Sequence, residues 1–264
     1  MYEMSHLALV NWHSFGAEDV PISGHTGILG PNGAGKSTLL DMMQVVLSGN
    51  NGRYVRLNPA ADKRKSQRTV RDYCLGVVVE GKFRREACMT YIAIGFRDIS
   101  GTKPDITIGL AMEARSTLAD ETVYGRFVVR GRILTTQDFL RVRDGKKFVA
   151  GWEDVRQALQ SEFGKGFQNH RDRPGDYVRE YIRDLVPHLP ASAGGAEALV
   201  KAIVNGMKLM EMSATDFVRN FILEDNPMRI GDLRESISTY RKVNQTIKDM
   251  KERAARLKVV KARA

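Results

Sequence analysis

Cysteine is scarce in this chain: 264 residues carry two, Cys74 and Cys88, in no metal-ligand spacing. That argues against a disulfide framework and a cysteine-based zinc site, and both read as reduced core thiols of a cytosolic protein. Long apolar runs are missing too. No stretch approaches the ~18 residues that a membrane span requires, and Met1 to Val10 has neither a basic start nor an apolar signal core. The chain reads as neither secreted nor membrane-bound, and a cytoplasmic location is expected. Acidic charge is the third shortage. Lys and Arg number 41 against 31 Asp and Glu, a net +10 that suits a polyanion partner, most simply nucleic acid. The 42% hydrophobic content is enough for one large core or two smaller ones.

Glycine, by contrast, is concentrated where a particular chemistry needs it. Gly30-Pro31-Asn32-Gly33-Ala34-Gly35-Lys36-Ser37-Thr38 fills every fixed position of the loop G-x-x-x-x-G-K-[ST]. With Gly at ~7% of residues, chance should give such a match in about one chain per hundred of this length, so the loop is read as functional. Gly30, Gly33 and Gly35 let the backbone turn tightly and bring successive N–H groups onto phosphate oxygens. The cradle comprises Asn32, Gly33, Ala34, Gly35, Lys36, Ser37 and Thr38. Lys36 is the catalytic candidate, reaching the β- and γ-phosphates, and Ser37 is the Mg²⁺ ligand, so ATP and Mg²⁺ are the expected cofactors. Residues 26–29 read as a short buried strand before the loop and residues 38–47 as a helix after it.

Elsewhere the chain reads as α/β. Residues 6–10 form an opening strand and residues 11–15 a turn, with Trp12 and Phe15 as core anchors. Residues 48–73 are loop-rich and basic; Lys63, Arg64, Lys65 and Arg68 there are candidate contacts to a DNA backbone, although a solvated basic loop fits equally. From Ala87 the period becomes two, and residues 88–96, 106–112 and 122–129 read as an antiparallel meander. Helical patterns follow at residues 152–159, 176–185 and 196–210, with residues 164–175 and 187–195 as breaks. A capping-box spelling at Ser213 to Asp216 precedes another helix. From Asp232, apolar residues from Leu233 to Leu257 step by threes and fours, which reads as the seam of a coiled coil expected to continue past Ala264, with an amphipathic helix packed on the domain as the alternative.

Asn11, Trp12, Ser14, Phe15 and Asn32, with the loop itself, resemble the start of SMC-type chromosome-maintenance ATPases and their ABC-type relatives. Residues 58–73 and 215–227 are similar to the MukB, MksB and JetC (Wadjet) branch. The resemblance implies an ABC/SMC-type P-loop half-head: residues 1–231 as the N-terminal head half, with the antiparallel lobe at about 87–150 and a helical part at about 151–225, and residues 232–264 as the start of a coiled-coil arm. His13, by the same analogy, could approach a nucleotide phosphate. It implies partners as well: the protein's own C-terminal head half, a second head across ATP, a kleisin with winged-helix (KITE) subunits, DNA, and in Wadjet systems a separate nuclease. A bacterial, nucleoid-associated location follows from it.

Hydrolysis in this class uses an apolar strand ending in Asp-Glu, and the chain has none: Ile106 to Met112 runs into Glu113 and Val77 to Val79 into Glu80, each without the preceding Asp. Ser192 to Glu197 is only superficially similar to the partner-facing signature, and Asn205 to Asp225 holds no Mg²⁺-sensing glutamine, a role left unassigned with Gln168 as a candidate substitute. The expectation is a fragment that binds ATP without turning it over until its C-terminal half completes it. Two alternatives stand beside it, a repair ATPase like SbcC or RecF and a DNA-binding module that merely docks nucleotide.

Overall fold

Apolar residues on both sides of the pleat build a sheet that is covered on both faces. The computed structural model describes residues 1–55, 57, 68–79, 82–188 and 193–206. Two units separate, Met1–Ala214 and Thr215–Ala264, and every described residue lies in the first. In chain order the elements are β1 (Tyr2–Trp12), β2 (Phe15–Pro21), α1 (Lys36–Ser48), α2 (Val70–Leu75), β3 (Val77–Val79), β4 (Lys82–Phe83), β5 (Ala87–Asp98), β6 (Asp105–Arg115) and β7 (Thr122–Gly131). A 3₁₀ turn (Thr136–Phe139) then leads to β8 (Leu140–Arg143), β9 (Lys146–Val149), α3 (Trp152–Phe163), β10 (Phe167–Asn169), α4 (Pro174–Leu185) and α5 (Ala193–Gly206).

The main sheet has the order β10-β7-β6-β5-β1-β2, and every pair is antiparallel. The expected meander is its centre. Successive residues face opposite ways in a strand, and the two sets enter two cores. Leu7, Leu9, Ile92, Ile94, Ile108 and Leu110 pack with Met42, Val45 and Val46 of α1 and with Tyr177 and Tyr181 of α4. Ala8, Val10, Tyr91, Ala93, Ala111 and Phe127 pack with Phe139, Trp152, Val155 and Leu159. The second face carries small residues because large rings lie on it: a Cβ on Gly125 would sit 2.4 Å from the Trp152 ring.

Helix α1, which follows the glycine loop, is held at its far end. Its last carbonyls would be orphaned; Tyr177 Oη donates to Val46 O (3.0 Å), Tyr181 Oη to Leu47 O (2.7 Å), and Arg126 Nε to Gly49 O (2.6 Å). A guanidinium there also complements the negative end of the helix dipole. At its start, the Trp12 indole donates to Thr38 O at 3.0 Å, tying α1 to the central sheet.

Four expectations are corrected. Residues 26–29 form no strand and are not buried: Ile28 is 37% and Leu29 92% exposed. An apolar segment is buried only where a neighbouring strand covers it, and among the described residues none pairs with this one. The loop-rich stretch 48–73 contains the start of α2, opened by a reciprocal capping box between Thr69 and Asp72. The break at 164–175 contains β10, which pairs with β7 through Phe167, Gln168 and Asn169. The stretch from Ala193 is not a loop, since α5 begins there. The seam at 232–264, the capping box at 213–216, the boundary at 231 and residues 207–225 of the helical part lie outside the described residues.

Candidate functional site

The glycine loop takes backbone angles that its sequence requires. Gly33 (φ 84°) and Gly35 (φ 94°) lie in the left-handed region that favours glycine. Gly35 is doubly constrained, because a Cβ there would also meet the Phe15 ring at 2.9 Å. Phe15, expected as a core anchor, packs partly buried against the first core with its ring beside the loop, and Trp12 is wholly buried, as expected. Helix α1 starts at Lys36 with no side-chain cap and no acidic residue in its first turn. Its leading N–H groups and the positive end of its dipole are therefore available to an anion.

Lys36 Nζ donates to Gly30 O (2.8 Å) and Pro31 O (2.9 Å), folded over its own loop. Both acceptors are neutral carbonyls, which a phosphate, a stronger acceptor for an ammonium, would displace. Ser37 is exposed beside it, whereas Thr38 is 6% exposed and lies beneath the loop. Exposed Asn32, Gly33 and Ala34 complete the rim. These residues fit a nucleoside triphosphate: a glycine backbone without side-chain obstruction, one cation held only by neutral carbonyls and one hydroxyl. Ser37 would hold Mg²⁺, which would neutralise phosphate charge there. Among the described residues, no group of three or more His, Cys, Asp or Glu could hold a metal by itself.

Behind the loop lies a network that sequence reasoning did not resolve. The β1–β2 turn places His13 at φ 51°, and its N–H donates to Tyr73 O at 2.6 Å. Arg68 Nη1 lies 3.0 Å from His13 Nε2. A guanidinium can only donate, so Nε2 accepts and the ring proton sits on Nδ1. Arg85 reaches under the same turn and donates to the carbonyls of His13 (3.0 Å), Phe15 (3.1 Å) and Cys74 (3.3 Å). Tyr73 stacks on Trp12 with centroids 4.9 Å apart and donates to Asp41 of α1 at 2.5 Å. Burial, together with Asp41, pushes the Tyr73 phenol up. Arg68 therefore points at His13, while Lys63, Arg64 and Lys65 lie outside the described residues. Both cysteines are free thiols, raised by burial, with Cys74 buried and Cys88 half-buried.

Burial, then Arg68, Arg84 and Arg85, lower the His13 pKa from 6.5 to about 4. His13 is thus neutral at pH 7 and offers a phosphate no positive charge of its own. The linkage has a definite sign. Below pH 6.5 the unfolded chain takes up a proton that folded His13 refuses until about pH 4, so stability is lost as pH falls through that window. His170, lowered by burial, adds in the same direction. Urea midpoints measured from pH 7 to pH 4.5 should fall, and His13→Asn should flatten the slope; an unchanged slope would remove His13 as its source.

Two further sequence candidates have other partners. Gln168 stands on edge strand β10 with its amide donating to Lys165 O at 3.3 Å. Glu113 accepts from Tyr124 Oη at 2.8 Å and Arg115 Nε at 2.9 Å. It borders a cavity of about 620 Å³ with Met89, Trp152, Arg156 and Arg171, against the second core and not against α1. No helix among the described residues is long and apolar enough to cross a membrane.

None of the curated proteins matches this chain. The family model described as the P-loop containing region of AAA domain matches residues 4–64, a span that holds β1, β2, the glycine loop and α1. The N-terminal part of this chain is accordingly an ATP-binding P-loop NTPase region.

Proposed function

We propose that this chain is the N-terminal half of an SMC-like ATPase head, of the MukB, MksB and JetC type, which binds ATP and Mg²⁺ and works on DNA once its C-terminal half is in place. The observation that carries the reading is the exposure of Ile28 and Leu29 immediately before the cradle. The catalytic loop of such a head springs from a buried strand, and here that segment carries Ile28 and Leu29 uncovered. A returning C-terminal half would supply the covering strand together with the Asp-Glu motif and the signature that this sequence lacks. The branch rests on the similarity around residues 58–73 and 215–227, and within it the JetC variant, an anti-plasmid motor with a separate nuclease, is slightly preferred over the MksB or MukB variant of chromosome maintenance, which shares the same head chemistry. In either, two heads close over ATP and a kleisin with winged-helix subunits joins them.

Reconstitution is the test. The 264-residue chain should bind labelled ATP without multiple turnover, and adding a separately produced C-terminal half should bring Lys36-dependent hydrolysis. Rapid turnover by the chain alone would overturn the half-head reading. A repair ATPase of the SbcC type would instead hydrolyse in response to DNA ends.

A further inference from the structure

The β8–β9 hairpin carries four cations, Arg141, Arg143, Lys146 and Lys147, against one carboxylate, Asp144. Its register pairs Arg141 with Phe148 and Arg143 with Lys146, while Leu140 faces Val149 and Val142 faces Lys147. Directly paired residues share a face of the pleat, so three cations and an aromatic ring stand together on one side. Phe148 is 46% exposed. Among the described residues, the one carboxylate within ion-pair reach of these four cations is Asp144, 4.0 Å from Arg143 with both side chains almost fully solvated. Such a pair contributes little. Arg141 Nη1 donates to the carbonyls of Asp138 (3.3 Å) and Leu140 (2.9 Å), and Lys147 Nζ to Gln137 Oε1 at 3.4 Å.

The hairpin is rigid at both ends. Asp144 (φ 52°) and Gly145 (φ 72°) are both left-handed, as in the two-residue turn whose twist matches its strands. At the root, Ala150 N donates to Phe139 O (2.9 Å), Tyr91 Oη donates to Ala150 O (2.9 Å), and Phe139 stacks on Tyr91 at 4.7 Å. The preceding 3₁₀ turn is tied to β2 through Thr136 and Asp19 and closed by the Thr135–Asp138 capping box. Arg141 serves the root of the hairpin, whereas Arg143 and Lys146, exposed beside the turn, make no hydrogen bond to the rest of the fold among the described residues.

We infer that the β8–β9 hairpin is a duplex DNA contact, with Arg143 and Lys146 on phosphates and Phe148 packed on sugar or a thymine methyl. The inference rests on the DNA-motor reading for the identity of the polyanion and adds where the duplex is held. The dimensions favour a duplex over a flat anionic surface. Two strands about 4.8 Å apart with their side chains fit a major groove about 12 Å wide, and the cations repeat every ~6.6 Å along a strand.

The experiment titrates a labelled mixed-sequence duplex of ~30 base pairs with the 264-residue chain between about 50 and 200 mM salt. Arg143→Gln/Lys146→Gln should reduce the slope of log K against log salt by about 1.8, since each lost phosphate contact removes ~0.9, and should lower affinity by about tenfold or more at the low-salt end. Phe148→Ala should lower affinity without moving the slope. Unfolding midpoints and labelled-ATP binding should stay at wild-type values, which separates a lost contact from a lost fold; Arg143→Ala serves if the double variant misfolds. If wild type binds duplex and the double variant keeps its slope, the hairpin assignment is overturned while the DNA reading stands. If wild type binds no duplex, both fall. Hairpin-dependent binding to phosphatidylserine vesicles without duplex binding would overturn the assignment in favour of a membrane surface.

Discussion

Lys36→Ala should lower the affinity for labelled ATP by about 10- to 150-fold, because one charge-assisted hydrogen bond to phosphate contributes ~1.5–3 kcal/mol. The fold should not notice. Among the described residues the Lys36 ammonium bonds only to the carbonyls of Gly30 and Pro31, both in an exposed loop, so its loss leaves no buried group unpaired there. Equilibrium binding of labelled ATP, with circular dichroism and an unfolding midpoint alongside, separates the two effects. Retained affinity with an intact fold would mean that nucleotide, if bound, sits elsewhere than in the glycine loop. Gly35→Val should be more damaging still, since it adds a side chain at φ 94° and drives it into the Phe15 ring.

The second large effect belongs to Leu29. In the chain by itself Leu29→Asp should be silent: the side chain is 92% exposed, and substitutions at such places usually stay within about 0.5 kcal/mol. If a C-terminal half covers residues 26–29, the same change should prevent reconstitution. Covering leucine there is worth roughly 1.5–3 kcal/mol, and an unpaired carboxylate in its place costs several more, together about a thousandfold or greater loss in association. Lys36-dependent turnover should vanish with it, while labelled-ATP binding by the fragment persists. A variant that reassembles and hydrolyses like wild type would show that this segment stays at the surface and would remove the main support for the half-head reading.

The cradle was legible because everything it needs is local. Left-handed angles at Gly33 and Gly35, a cation one residue on and a helix start at Lys36 are properties of consecutive residues, and the matched span at residues 4–64 agrees with that reading. The meander was legible for a similar reason, since period two with apolar residues on both faces admits a doubly covered sheet.

What tertiary structure alone decided was everything that depends on a distant neighbour. Residues 26–29 look buried by composition and are exposed, because burial belongs to a segment together with its cover. Strand β10 exists because β7 offers a free edge to Phe167, Gln168 and Asn169, whose flanking sequence is punctuated by glycine and proline. The pairing of Arg68 with His13 spans 55 positions and that of Arg85 with Phe15 spans 70, so their spelling reads merely as basic residues in loops. Only the fold turned those two guanidiniums onto the turn behind the glycine loop, while Arg143, Lys146 and Lys147 of the β8–β9 hairpin were left facing solvent, because no carboxylate from another element meets them among the described residues.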